Sequence, residues 1–307
     1  MILCCGEALI DMLPTRTPDG GAAYAPYPGG AVFNTAVGLG RLGVPTGLFC
    51  GISTDMFGKM LVDALSLSDV GTGLAVRSAR PTTLAFVDMV HGQASYAFYD
   101  ENTAGRMLRA SDLPDLPEEV DALFFGGISL AAEPCGTAYE AMHLLASPRR
   151  LTMIDPNIRP GFATDEAAYR RRLTQMISAA DIVKLSHEDL HWLSGPGGVE
   201  TLANDILSMG PRVVFVTEGA KGAHGFTPQN AVFVPAPKVT VADTLGAGDA
   251  FNAGVLAELR RLGVLRKTAI AGISSAQLTE ALTLGVRAAA VAVSRPGANP
   301  PWLAEIT

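Results

Sequence analysis

The chain of 307 residues has no excess of basic charge: 23 lysines and arginines stand against 30 aspartates and glutamates, a net charge of −7. A face for nucleic acid or anionic lipid needs the opposite balance, so the composition argues against both as partners. No apolar run approaches the roughly 20 residues that cross a bilayer. The start, Met1-Ile2-Leu3-Cys4-Cys5-Gly6-Glu7-Ala8-Leu9-Ile10-Asp11, lacks a basic stretch and is interrupted by acids. It reads as a first strand and not as a leader peptide. The 4 cysteines, at positions 4, 5, 50 and 135, show neither C-x-x-C nor Cys/His spacing. That fits buried free thiols in a reducing cytoplasm. Cys4 and Cys5 are adjacent in the extended stretch, so their side chains are expected on opposite faces. The 5 histidines (91, 143, 187, 191 and 224) form no ligand-like cluster, which argues against a His-built metal site. Internal repeats, low-complexity tracts and linkers are also lacking.

Hydrophobic residues, at 48%, indicate a well-buried globular protein. Short apolar runs recur between helix-like segments: Ile2–Cys5, Thr46–Gly51, Ala122–Gly126, Leu151–Ile154, Ile182–Leu185 and Val213–Thr217. Continuous apolar strands alternating with helices predict a three-layer α/β/α, doubly wound and mostly parallel sheet. Polar or Gly-rich segments follow these strands, and ligands of open α/β sheets collect at such carboxyl ends. Two segments break the rhythm, Ala22–Pro28 and Thr82–Tyr99, with a hairpin turn expected at His91-Gly92-Gln93. They predict a small β-sheet lid, from about 12–30 and 80–105, on a single domain spanning 1–307.

The most informative run is Asp243-Thr244-Leu245-Gly246-Ala247-Gly248-Asp249-Ala250-Phe251-Asn252-Ala253-Gly254. Small residues at 246 to 248 leave backbone N–H groups uncovered where a helix begins, and anions settle at such a start. Asp249 sits in the first turn. An anion cradle with a base beside it suits phosphoryl transfer to a hydroxyl, where catalysis is mostly positioning and charge stabilisation. Gly38-Leu39-Gly40-Arg41-Leu42-Gly43 satisfies G-x-G-x-x-G, but its helix precedes and its strand follows, the reverse of a dinucleotide fingerprint. These glycines read as helix-end and close-packing positions. Gly29-Gly30-Ala31-Val32-Phe33-Asn34 pairs glycines with a helix start, and Asn34 offers a donor and an acceptor to sugar hydroxyls. Taken alone, such a run is more often a plain turn and helix. Arg159, in Asp155-Pro156-Asn157-Ile158-Arg159-Pro160, suits a phosphate fork or a structural ion pair with Asp155. Thr217-Glu218-Gly219-Ala220-Lys221-Gly222 suits a nucleotide or a simple hairpin. Trp192 and Trp302 read as packing residues, and His187 with His191 as a solvated helix face.

Together these motifs resemble the PfkB carbohydrate kinase family, the ribokinase-like fold, over essentially the whole chain. The stretch from Gly29–Ala36 to Asp55 is similar to the family's first signature and Asp243–Gly254 to its second. The resemblance implies that Asp249 is the general base and that the N–H groups of Gly246, Ala247 and Gly248 form the anion hole. It places Asp11, Gly29, Gly30 and Asn34 against the sugar. Thr217, Gly219 and Gly222 would line ATP, with Ser294 to Asn299 walling the adenine. Asp243 and the Leu245 carbonyl match a monovalent-cation site, for which K⁺ is the candidate. Mg²⁺ would be held largely through phosphates and water. Relatives often carry Asn-x-x-Glu to order that hydration shell; Ser186 and Asp189 stand in those places here. Arg159 would share the developing charge.

Gly6–Met12, Phe98-Tyr99 and Glu101-Asn102 resemble fructokinase-like members, although Asp100 falls where many of those have Arg. The lid offers few basic residues besides Arg106 and Arg109 to hold an acidic sugar. A neutral ketohexose, fructose, is therefore the leading acceptor, ahead of 2-keto-3-deoxygluconate or a nucleoside. A non-catalytic ligand-binding regulator on the same fold is the reading from another class, opposed by the intact Asp249 and cradle. A nicotinamide-dependent dehydrogenase rests only on the misordered Gly38–Gly43 run. Exposed lid strands suit pairing into a homodimer.

Overall fold

The computed structural model describes residues 1–90 and 93–306. Strands are numbered β1 to β15 and helices α1 to α8 in chain order. The large sheet has nine strands in the order β15-β14-β13-β12-β11-β10-β1-β4-β6. Its parallel centre is β1 (Ile2–Cys5), β4 (Thr46–Phe49), β6 (Val70–Gly71), β10 (Ala122–Gly126), β11 (Leu151–Asp155), β12 (Ile182–Ser186) and β13 (Val213–Thr217). Two antiparallel strands, β14 (Gly222–Phe226) and β15 (Ala231–Pro235), extend one edge. The central strands are buried on both faces, which is why they are continuous apolar runs without alternation.

Helices cover both faces. One layer holds α1 (Ala31–Arg41), α2 (Met56–Leu67), α7 (Ala247–Arg261) and α8 (Ser275–Val293). The other holds α3 (Cys135–Ala146), α4 (Glu166–Ala179), α5 (His187–Ser194) and α6 (Val199–Ser208). Side chains alternate between the two cores: Ile2 and Cys4 join the first, Leu3 and Cys5 the second. Cys4 and Cys5 thus point to opposite faces as expected, and all four cysteines are free and buried. No helix among the described residues is long and apolar enough to cross a membrane.

Gly38 and Gly40 lie inside α1, and neither stands in a phosphate-binding turn. A Cβ on Gly40 would meet the Ser68 carbonyl at 1.9 Å, and one on Gly38 would meet the Ala253 Cβ at 2.7 Å. The Gly40 approach seats α1 on the end of α2, and the Gly38 approach seats it on α7, the helix whose Asp249 meets Asn34.

A separate sheet of four strands has the order β3-β2-β8-β9, from β2 (Leu9–Arg16), β3 (Ala22–Gly29), β8 (Leu84–Val90) and β9 (Gln93–Tyr99). His91 and Gly92, part of the expected hairpin turn, lie outside the described residues. The register pairs Asp11 with Tyr27 and Ala85, and Ala85 with Phe98, so these four share one face. Tyr24, Phe86 and Tyr99 share the other face. There Phe86 meets Tyr24 and Tyr99 edge-on, at centroid distances of 5.0 and 5.3 Å. A two-stranded ribbon, β5 (Gly51–Ser53) with β7 (Val76–Ser78), leads from the body to this sheet.

Candidate active site

The site lies at the carboxyl ends of the parallel strands, where α7 begins. Gly246 caps that helix in the left-handed region, at φ 77°. A Cβ there would come within 2.9 Å of the Ala298 Cβ, so both conformation and space require glycine. The N–H groups of Gly246 and Gly248 find no acceptor among the described residues. With the partial positive charge of the helix start they form an open anion cradle.

Asp249 follows in the first turn and is buried. Its Oδ2 accepts a 2.9 Å hydrogen bond from Asn34 Nδ2. Burial pushes its carboxyl up to about 7, with Asp155 and Glu7 adding to the rise and Asn34 and Lys184 opposing it. A carboxyl poised there can take a proton at neutral pH.

Asp155, at the end of β11, forms an ion pair that the sequence does not announce. Its Oδ2 receives Lys184 Nζ at 2.9 Å and Asn252 Nδ2 at 2.7 Å. Arg159, the cation weighed as its partner, is exposed and donates from Nη1 to the carbonyl of neighbouring Ile158. The overlooked signal is a lysine inside the apolar run Ile182-Val183-Lys184-Leu185, because a buried charge demands a partner. Asp189 is held by the backbone: Ile158 N–H donates to Oδ1 at 2.9 Å and Ser186 N–H to Oδ2 at 3.1 Å. It thereby ties the 155–159 loop to the start of α5.

On the opposite wall, Asp11 lies against Gly29, where a Cβ would meet its Oδ2 at 2.1 Å. Burial, then the nearby Glu7 charge, pushes Asp11 up to about 6. Gly30 caps α1 at φ 107°. Glu7, buried as well, accepts the Ala31 N–H at 2.9 Å and the Ser129 N–H at 3.3 Å. Sequence reasoning passed over Glu7, although an acid inside the first strand-turn is its own signal. A cavity of about 20 Å³, enough for a water, is lined by Glu7, Thr83, Asp100, Arg106, Ser129 and Phe162.

Thr217 ends β13, and the chain turns through Gly219 (φ 56°) and Gly222 (φ 133°) into β14. Asp243 Oδ1 accepts the Leu245 N–H and Oδ2 the Gly297 N–H, both at 3.0 Å, so the loop before the cradle is fastened to the 294–299 segment. In that segment Asn299 Oδ1 accepts from Arg41 at 2.7 Å. Trp302, read as a packing residue, stands half-exposed beneath the Arg41 guanidinium. The His187 and His191 rings lie 4.1 Å apart on α5. No group of three or more His, Cys, Asp or Glu side chains among the described residues converges as a metal cage.

Moving a phosphoryl group to a sugar hydroxyl takes a cradle for anions, a base of near-neutral affinity and a wall of hydroxyl-binding groups. The chain has an open helix start, a buried carboxyl poised near neutrality and a facing wall of polar groups on a doubly wound α/β frame, and it is a carbohydrate kinase. It matches the pfkB family of carbohydrate kinases over residues 1–305 and belongs to that family. A fructokinase of Rhizobium leguminosarum bv. trifolii is 50% identical over 278 residues, covering 91% of this chain and 85% of that one. The fructokinase of Xylella fastidiosa with bound ATP superposes with a TM-score of 0.87 at 29% identity, covering 99% and 96% of the two chains. A double mutant of the Vibrio cholerae fructokinase, bound to fructose, ADP and potassium ion, superposes with a TM-score of 0.85 at 26% identity, covering 97% and 93%.

Proposed function

We propose that the protein is an ATP-dependent fructokinase that converts fructose to fructose 6-phosphate. The observation that carries the reading is Asp249: a buried carboxyl, poised near neutrality, in the first turn of a helix whose N–H cradle is open. The similarity to fructokinases, one of them half identical, supplies the sugar. The acceptor hydroxyl gives its proton to Asp249, and the N–H groups of Gly246 and Gly248 receive the transferring phosphoryl group, joined by that of Ala247 when it leaves its 3.4 Å bond to the Thr244 carbonyl. Asn34 holds the Asp249 carboxylate in register. Asp11, Gly29 and Gly30 bind the sugar hydroxyls from the other wall. The small sheet acts as a lid that excludes water.

Thr217, Gly219, Gly222 and Asn299 line the nucleotide. Mg²⁺ would neutralise phosphate charge when bound, held by phosphates and water with Asp189 as outer support. Asp243 and the Leu245 carbonyl would hold K⁺ beside the cradle. Arg106 is engaged by Asp100 at 3.4 Å and by the Glu133 carbonyl at 3.1 Å, which speaks against a carboxylated acceptor such as 2-keto-3-deoxygluconate. The Tyr24–Phe86–Tyr99 stripe, exposed at its two tyrosines and half-buried at Phe86, suits a homodimer through the lids. A cytoplasmic setting accords with four free thiols.

ADP release measured with fructose, ribose, 2-keto-3-deoxygluconate, tagatose and adenosine tests the reading. Fructose is expected to give the highest kcat/KM. A higher value for another acceptor moves the assignment to that sugar, and no acceptor-dependent ADP at all restores the binding-protein reading.

A further inference from the structure

Resting on that kinase reading, we infer that Lys184 is a catalytic residue: its ammonium contacts the transferring phosphoryl group, while Asp155 and Asn252 hold it in position. Lys184 stands in the middle of β12, between fully buried Val183 and Leu185, and its own side chain is only 5% exposed. Burying an ammonium is costly, so its place needs a reason beyond packing. The reason lies in what it faces. A Cβ on Gly248 would stand 3.2 Å from Lys184 Nζ, so the amine borders the open cradle from the sheet side. Arg159 is turned to its own neighbour's carbonyl and leaves that border to Lys184.

The cluster is not a closed ion pair. An ammonium has three donors, and Asp155 takes one of them. Asn252 spends its Nδ2 on the same Asp155 oxygen, and its buried Oδ1 has no partner. Asp155 and Asn252 thus fix the amine from behind and leave donors toward the cradle. Burial acts to discharge the lysine, but the Asp155, Asp189 and Asp249 carboxylates outweigh it and hold the amine above its ordinary value. It stays charged throughout turnover. In the transfer, a bond forms from the acceptor oxygen to the γ-phosphorus. The bond from that phosphorus to the bridging oxygen breaks, and its electron pair leaves on ADP. The acceptor proton passes to Asp249, and Lys184 keeps its own. Its charge counts most as negative charge spreads over the moving oxygens.

A purely structural lysine would serve only to neutralise Asp155, and a double substitution separates the two roles. Lys184→Met, Asp155→Asn, the pair combined and Lys184→Arg are compared in the full chain for kcat, fructose KM, ATP Kd and melting temperature. Lys184→Met and the uncharged double variant are both expected to lose about 10²- to 10³-fold in kcat, with fructose KM little changed. A double variant that regains kcat to within about tenfold of the unaltered chain overturns the assignment. If Lys184→Met fails to fold, the double variant decides, since it leaves no unpaired buried charge: a kcat loss of about 10²-fold or more sustains the role, and a kcat within about tenfold of the unaltered chain refutes it, while Lys184→Arg, which keeps the charge, is expected to retain more kcat than either. Failure of the unaltered chain to phosphorylate fructose defeats the kinase reading itself, a separate result.

Discussion

The two walls of the site are built on different principles. The cradle wall comes from strand ends and a helix start inside the body, and its polar side chains are fixed by partners that are themselves buried. Asp249 is held by Asn34, Asp155 by Lys184 and Asn252, and Asp189 by two backbone N–H groups. The lid wall is four strands with little behind them; Tyr24 is 45% and Tyr99 63% exposed. Rigid placement suits the reaction, which tolerates small errors in distance poorly. An exposed sheet with one site-facing side suits tasks that tolerate movement, such as admitting a sugar and meeting another subunit.

The sharpest break in that contrast comes from Asp249→Asn. Removing the proposed base is expected to lower kcat by about 10³-fold or more, near the upper range for general base catalysis. The carboxylate must be ionised to accept a proton, so kcat/KM of the unaltered enzyme should climb with pH through about 7. Stability should move the other way. A carboxyl whose folded value lies above its unfolded one binds its proton more tightly when folded. Burying it ionised therefore costs stability above about 7, a cost that fades as pH falls toward the ordinary carboxylate range. The variant should melt higher than the parent at pH 8 and equally at pH 3.5. A lower melting point at pH 8 would show that Asp249 helps hold the fold.

Asn34→Ala probes the same wall one contact further out. It removes a 2.9 Å bond to the ionised carboxylate, so the acid limb of kcat/KM should shift to higher pH. At pH 7 the loss should be about 10- to 100-fold, the range for a hydrogen bond to a charged group. A changed fructose KM with an unmoved pH limb would make Asn34 a sugar contact only.

The body was legible in the sequence because its strands are buried on both faces, so β1, β10 and β13 appear as unbroken apolar runs. The order of elements around Gly38–Gly43 was legible too, and α1 indeed ends where those glycines pack. The partner of Asp155 was not. Along the chain Arg159 is the nearest cation, whereas Lys184 arrives from the neighbouring strand. The register Met153↔Ile182 and Ile154↔Val183 carries it to that position, and register depends on the sheet as a whole. Asn252 was visible in the motif, but its target was not, since helical phase and strand order jointly decide it. Trp302 does pack, though not in the core: it stands at the surface as a platform for the Arg41 guanidinium.

Tyr99→Lys tests the lid wall and has the smallest expected effect on turnover. Tyr99 ends β9, the outer strand of the sheet, on the face opposite Asp11. A lysine there would put a charge into the exposed aromatic stripe, and charge on an edge strand opposes pairing with another chain. The catalytic wall is untouched, so kcat should stay within about twofold, as for surface substitutions generally. Sedimentation or light scattering should show the parent as a dimer and the variant shifted toward monomer. A parent that is already monomeric removes the lid dimer. A variant that stays dimeric but loses turnover would show that this face acts on the sugar site after all, and the division between the two walls would fail.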